Sequence, residues 1–207
     1  MKAKKNAKRV QHGNRIHDVF EKLWITQLRV LLSCKRQSLQ VLPKIAHNVS
    51  SPNLTSVIKG YIEITRKQIT RLEEIFKTRN ISARGKKSIA TEELLDESQH
   101  VIEITITGPV RDAGVIASVQ KIIHYQTSAY NTLANWSHIL GEDRSANMLG
   151  LALAEETEAD RLLTQAAHIT INYDAVINEN RKIITSHYDP KLSGNYIIFY
   201  LPTKKYN

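Results

Sequence analysis

The chain has 207 residues, of which 42% are hydrophobic and 24% are charged, a composition that supports one folded domain with appendages. Eight glycines and five prolines amount to about half of average usage. Barrels and sandwiches need a turn roughly every 8–12 residues, so this scarcity of chain breakers argues against them and favours helices. The single cysteine, Cys34, excludes a disulfide framework and a cysteine-rich zinc site.

The formal net charge of +9 is unevenly distributed along the chain. Residues 16–174 are neutral overall and residues 175–207 have a small positive excess, whereas residues 1–15 contain no acid and six cations, namely Lys2, Lys4, Lys5, Lys8, Arg9 and Arg15. A basic segment on a neutral fold predicts a solvated, disordered tail, with sequence-independent nucleic-acid binding as the alternative. No apolar stretch follows this basic start, and no apolar run is long enough for a bilayer. We therefore expect a cytoplasmic protein without a signal peptide or a membrane span.

Apolar residues recur with a period near 3.6 over four long stretches and one short one, a pattern typical of amphipathic helices. It predicts helices over residues 16–48, 52–77, 91–106, 109–140 and 143 into the 170s. Ser51 followed by Pro52 is typical of a helix start, and Gly108-Pro109 marks another. Short connections between long helices favour antiparallel neighbours, so the fold class predicted is all-α, a four-helix bundle with one crossover that contains the short helix.

The chain accordingly divides into three predicted parts. Residues 1–15 are the basic disordered tail, residues 16–174 the four-helix bundle, and residues 175–207 a C-terminal extension. Within the extension, residues 195–201 are rich in β-forming side chains, which favours a strand or an extended arm.

A polar residue interrupts the apolar stripe of every long helix. In the first helix Lys35 lies within about 40° of four leucines at a rotation of about 100° per residue. A buried charge or amide without a partner costs several kcal/mol, so such groups should meet one another. The sequence therefore predicts a buried polar layer made of Lys35, Gln68, Gln126, Glu156 and Asp160. The alternative is that each side chain lies at the edge of its stripe and extends to water.

The same positions argue against a metal centre. Two divalent ions need about four carboxylates as ligands and for charge balance. The fourth long helix supplies all the acids of this layer, so we expect no metal, no other cofactor and no catalytic residue. If iron or another divalent metal binds, the remaining candidate ligands are Glu155, Glu156, Asp160 and His124.

Several collinear motifs between residues 16 and 170 resemble the YciF-like ferritin-like family of bacterial stress-associated proteins. They are Val41-Leu-Pro-Lys-Ile-Ala46, Arg71-Leu-Glu-Glu-Ile-Phe76, Arg84-Gly-Lys-Lys87, Val110-Arg-Asp-Ala113, His124-Tyr125, Ala129-Tyr130, Leu140-Gly-Glu-Asp143, and Glu155-Glu156 with Asp160. The resemblance implies a ferritin-like four-helix bundle with an added short helix. It also implies a homodimer and, in typical members, a di-metal centre.

The chain departs from this family at most of the metal ligands. The first-helix glutamate of the family is Lys35 here, and its second-helix Glu-Thr-x-x-His is Ile64-Thr-Arg-Lys-Gln68. Its third-helix Glu-His-Tyr-Glu is Ile123-His-Tyr-Gln126. We interpret this pattern as a degenerate di-iron site, in which Lys35 pairs with Glu156 or Asp160 and two glutamines complete the hydrogen bonds.

The function predicted is that of a non-catalytic structural or interaction protein with a stress-related role, the stress connection coming from the resemblance alone. An enzyme is the rival prediction, a metal-dependent oxidase or peroxidase that uses the reduced carboxylate site. The position of Lys35 separates the two, because an ammonium group bonded to Glu156 repels a metal ion at that place.

Overall fold

The computed structural model describes the backbone of residues 2–85 and 87–179, and most side chains between residues 17 and 176. Six α-helices follow one another: α1 Lys2–Asn48, α2 Pro52–Thr78, α3 Ile89–Ile104, α4 Pro109–Ile139, α5 Asp143–Ala166 and α6 Asn172–Glu179. A π-helical turn, Ala167–Ile171, joins α5 to α6. The described part contains no β-strand, so the predicted all-α fold is confirmed.

Helix α1 begins much earlier than the sequence pattern predicts. It is 47 residues long and starts at Lys2, so residues 2–15 are helical where a disordered tail was predicted. The reason is that lysine, arginine, alanine and glutamine are good helix formers, and extending a helix that is already formed needs no new nucleation. At the other end, residues 175–179 belong to α6, while the β-rich residues 195–201 lie outside the described residues.

The bundle is made of α1, α2, α4 and α5. Helix α1 packs against α2, α4 packs against α5, and the two pairs face each other through the contacts of α2 with α5 and of α1 with α4. Helix α3 lies in the crossover from α2 to α4 and packs against α1 and α4. No helix in the described part is long and apolar enough to cross a membrane.

Local sequence determines the ends of these helices. The Ser51 hydroxyl accepts a hydrogen bond from the Leu54 amide at 3.3 Å, and Pro52 occupies the first turn of α2, where its missing N–H costs nothing. Ser88 caps α3 in the same way. Gly141 adopts φ +73° in the tight turn from α4 to α5, a conformation that glycine accepts without steric cost.

Asp112 ties the first turn of α4 to the turn between α1 and α2. This buried carboxylate accepts three hydrogen bonds of 2.8 Å, from the Ser50 amide, the Ser50 hydroxyl and the Ser51 amide. Hydrogen bonds to a charged group are stronger than neutral ones, and here they join segments about sixty residues apart. Asp112 therefore fixes the start of α4 to the turn between α1 and α2 at one end of the bundle.

Two hydrophobic cores stack along the bundle. One, which we call the upper core, includes Leu42, Ile45, Leu54, Ile58, Ile62, Val115, Val119, Ile123 and Leu163. The other, the lower core, includes Trp24, Leu28, Leu31, Leu72, Phe76, Leu133 and Leu149. Each long helix contributes to both cores, and on each helix buried polar residues lie between the two contributions.

We predict that Asp112→Ala lowers the free energy of unfolding by about 2 kcal/mol, because it removes the buried charged acceptor of three hydrogen bonds from the partly buried turn at residues 50–51. Urea unfolding followed by circular dichroism measures the change. The matched control is Asp96→Ala at an exposed position of α3, which should change stability by less than about 0.5 kcal/mol. Equal effects of the two substitutions would show that the Asp112 contacts add nothing.

Candidate functional site

Lys35 lies at the centre of the bundle, between the upper and the lower core. Its side chain is 0% exposed, and its ammonium group has three acceptors around it. Nζ lies 2.7 Å from Glu156 Oε1, 2.6 Å from Gln126 Oε1 and 3.3 Å from the Tyr61 hydroxyl. An ammonium group carries three N–H donors, so each of them is used.

The remaining polar atoms around Lys35 are paired as well. The Tyr61 hydroxyl donates to Glu156 Oε2 at 2.8 Å, and Gln126 Nε2 donates to the Ser38 hydroxyl at 2.9 Å. Both carboxylate oxygens of Glu156 are therefore hydrogen bonded. We call Lys35, Ser38, Tyr61, Gln126 and Glu156 the central polar layer; its members come from α1, α2, α4 and α5.

Burial sets the protonation behaviour of this layer. Removal from water lowers the pKa of Lys35, while the charge of Glu156 and its hydrogen bond act in the opposite direction. Burial and the negative charge of Glu156 raise the pKa of Tyr61 well above its ordinary value. Tyr61 consequently keeps its proton and remains a hydrogen-bond donor to Glu156.

A second ion pair lies beside the layer, nearer the surface. Arg71 donates two hydrogen bonds of 2.6 Å to the two oxygens of Glu155, and Gln68 Nε2 donates to Glu155 Oε2 at 3.2 Å and to the Ala152 carbonyl at 3.3 Å. Burial raises the pKa of Glu155, but the hydrogen bonds and charge of Arg71 outweigh it and hold that pKa below its ordinary value. We call Arg71 and Glu155 the outer pair.

Two predicted members of the layer lie elsewhere. Asp160 is half-buried, contacts His124 Nε2 at 3.0 Å and accepts from Gln120 at 2.9 Å, so the structure contradicts its inclusion in the layer. It follows Glu156 by four residues, and the resulting rotation of about 40° carries it to the edge of α5. Gln68 is fully buried, but its amide bonds the outer pair rather than Lys35.

Sequence analysis missed Ser38, Tyr61 and Arg71. Ser38 follows Lys35 by three residues and therefore lies on the same face of α1, a spacing that could have identified it. Tyr61 occupies a position of the α2 stripe and resembles an ordinary core aromatic, because its ring is buried and only its hydroxyl is polar. Arg71 follows Gln68 by three residues on α2, so it too could have been found by spacing.

The residues present do not fit the di-metal centre that the family resemblance implies. Glu156 is the carboxylate of the central polar layer, and the ammonium of Lys35 lies where a cation would bind it. The other candidate ligands diverge, since Glu155 bonds Arg71, and Asp160 with His124 forms a separate surface pair. His124 is 67% exposed.

Three side chains of types that can ligate a metal ion also lie together at the surface of α1, well before Lys35 in the sequence. His17, Asp18 and Glu21 have ligand atoms within 4.8 Å of one another. Glu21 is already paired with Arg79, whose positive charge opposes a metal ion at this place.

We predict that Lys35→Met lowers the free energy of unfolding by about 3–5 kcal/mol, because it leaves the carboxylate of Glu156 buried without its cation. The double variant Lys35→Met/Glu156→Leu should regain at least half of that loss, since it removes the unpaired charge too. Urea unfolding at neutral pH measures both. The control is Lys59→Met at an exposed position of α2; a Lys35→Met variant as stable as this control would contradict the prediction.

The outer pair predicts a pH dependence of stability. The folded protein holds the pKa of Glu155 below the unfolded value of about 4.5, so on acidification the unfolded chain takes up the proton first. The contribution of Glu155 is therefore present above about pH 4.5 and is lost as the pH falls through the folded pKa. Urea unfolding between about pH 6 and pH 3 should show a steeper loss for the wild type than for Glu155→Gln. If the free energy of unfolding falls with pH in parallel for the wild type, Glu155→Gln and the exposed control Glu103→Gln, Glu155 makes no such contribution.

Comparison with known proteins places the chain in a family. The sequence family described as "Domain of unknown function (DUF892)" matches residues 19–176. Protein YciF of Escherichia coli (strain K12) is 34% identical over 161 residues, which are 77% of this chain and 95% of that protein.

Two solved structures are similar to this fold. The crystal structure of the E. coli stress protein YciF superposes with a TM-score of 0.69 at 32% identity, covering 79% of this chain and 98% of that one. YcfI from Rhodopseudomonas palustris, described as a candidate structural protein, superposes with a TM-score of 0.67 at 30% identity, covering 70% and 92%. The matched family region includes every residue of the central polar layer. The chain therefore belongs to the YciF-like family of DUF892 proteins.

Proposed function

We propose that this protein is a non-catalytic structural or interaction protein, in which a buried ion pair stabilises the bundle in place of a di-metal centre. The observation that carries the proposal is the 2.7 Å contact between Lys35 Nζ and Glu156 Oε1, with both side chains 0% exposed. A cofactor has no role in this proposal. We propose further that the protein acts as a cytoplasmic homodimer of ferritin-like chains with a stress-related role.

Electrostatics supports the exclusion of a metal ion. At a separation of 4 Å, two like unit charges repel by about 4 kcal/mol in an environment of intermediate dielectric constant, and a divalent ion doubles this value. Both oxygens of Glu156 also already accept a hydrogen bond, one from Lys35 and one from Tyr61. A metal ion would have to displace Lys35 and leave its ammonium buried elsewhere in the bundle.

A structural role follows from how the layer is connected. Its hydrogen bonds join all four long helices, so a shift of any one helix along the bundle breaks bonds that water cannot replace. Such a layer favours one register of the helices over others, as buried polar groups do in coiled coils. The description of the Rhodopseudomonas palustris relative as a candidate structural protein agrees with this role.

Iron titration tests the proposal. The protein is incubated anaerobically with ferrous iron, dialysed and analysed for metal; we expect well under one iron per chain. The comparison variant is Lys35→Glu/Gln68→His/Gln126→Glu, which restores three family ligands and should retain more iron than the wild type. Retention of about two irons per wild-type chain would overturn the proposal and favour the oxidase or peroxidase that uses Glu155, Glu156, Asp160 and His124.

Nucleic-acid association is a second candidate function, favoured by the extent of α1. The helix begins at Lys2, so the six cations of residues 1–15 belong to one continuous helix that starts well before the bundle. Neutralising phosphates with such cations produces an affinity that is independent of sequence and falls steeply with salt.

A gel shift with duplex DNA at two salt concentrations tests this candidate. We expect binding at low salt that weakens at high salt and disappears when residues 2–15 are deleted. The matched control replaces the six cations by glutamine, which keeps the length of the helix and removes its charge. DNA binding that survives both changes would show that these six cations do not make the contact, and would contradict this candidate function.

A further inference from the structure

Three fully buried polar atoms next to the central polar layer have no hydrogen-bond partner among the described residues. They are the Thr65 hydroxyl, Gln68 Oε1 and the Tyr130 hydroxyl. An unpaired buried polar group destabilises the folded state, so three at neighbouring levels of one bundle require an explanation.

The three residues lie at neighbouring levels of the bundle, on the lower-core side of the central polar layer. Thr65 and Gln68 are three residues apart on α2 and therefore lie on the same face. Tyr130 lies one turn beyond Gln126 on α4, and the charges of Glu156 and Glu155 both act on its hydroxyl. Gln68 itself contacts Glu155 and the backbone of α5. The group thus lies among α2, α4 and α5, between the central polar layer and the outer pair.

The contacts of the Gln68 side-chain amide fix its orientation. Its Nε2 donates to the Ala152 carbonyl and to Glu155, and both partners are acceptors only. Turning the amide over would bring oxygen against oxygen at both contacts, so Oε1 is compelled to point away from them. That oxygen needs a donor from another source.

The geometry points to an internal hydration site, in which we propose that ordered water bridges the Thr65 hydroxyl, Gln68 Oε1 and the Tyr130 hydroxyl. Gln68 Oε1 only accepts, whereas the two hydroxyls donate or accept, so the ligand must be able to do both. Buried water typically makes about three hydrogen bonds to groups that otherwise lack partners. Water both donates and accepts, so it meets both requirements.

Charge balance distinguishes water from an ion. The charged groups around the site are Glu155 and Glu156 together with Arg71 and Lys35, two acids and two cations that are already paired with each other. A bound cation would be repelled by Lys35 and Arg71, and a bound anion by the two carboxylates. A neutral ligand avoids both penalties.

As a consequence, polar contacts follow one another from the centre of the bundle to its surface. The water joins α2 to α4 at the level where the lower core begins, and Gln68 connects it to the outer pair near the surface. Buried water of this kind exchanges slowly and is part of the fold.

A crystal structure of the wild-type protein at better than about 2 Å resolution tests the inference, with anomalous data collected to identify metals. We expect a water within hydrogen-bond distance of at least two of the three atoms. A dry site, or a peak with anomalous signal, would overturn it.

The stability of variants that lack one hydroxyl gives an independent test, because the direction of the change depends on whether water is bound. With water bound, Thr65→Val and Tyr130→Phe each remove one of its partners and should lower the urea midpoint of unfolding. If the site is dry, Tyr130→Phe removes an unpaired buried hydroxyl and raises that midpoint, which would contradict the inference. Ser128→Ala at an exposed position of α4 is the control for the measurement itself and should leave the midpoint unchanged.

Discussion

A buried ion pair between Lys35 and Glu156 determines which polar side chains surround it at the centre of the bundle. Removing two charges from water costs several kcal/mol for each, and attraction between them compensates only when every remaining polar atom is paired. Here Lys35 uses its three donors and Glu156 both oxygens. The identities of Tyr61 and Gln126 follow from that requirement, since apolar side chains at those positions would leave the charges incompletely bonded.

The polar layer also explains how the hydrophobic residues are arranged. The bundle has an upper and a lower core, separated at the level where Lys35 lies on α1 and Glu156 on α5. Apolar packing tolerates small sliding of one helix on another, whereas a closed set of directional hydrogen bonds does not. Asp112 adds a second directional contact at one end of the molecule. Both features accord with a protein whose role depends on a stable shape.

The helices were predictable because their signals are local and periodic. Apolar stripes and the caps at Ser51 and Gly108-Pro109 located four of the five predicted helices to within a few residues. Lys35, Gln126 and Glu156 could be found because each replaces an apolar residue at the middle of its stripe. Tyr61 could not, since an aromatic ring at a core position does not reveal that its hydroxyl is used. Hydrogen-bond partners across the bundle depend on rotations of a few tens of degrees, which a single sequence does not determine.

We propose that the ammonium group of Lys35 excludes a metal ion from the centre of this bundle. A crystal structure of the protein grown in excess ferrous iron, with anomalous data at the iron edge, tests it most directly. We expect Lys35 Nζ within bonding distance of Glu156 and no anomalous peak between α2 and α5. Lys35 displaced from Glu156, with a peak coordinated by Glu155 and Glu156, would contradict it.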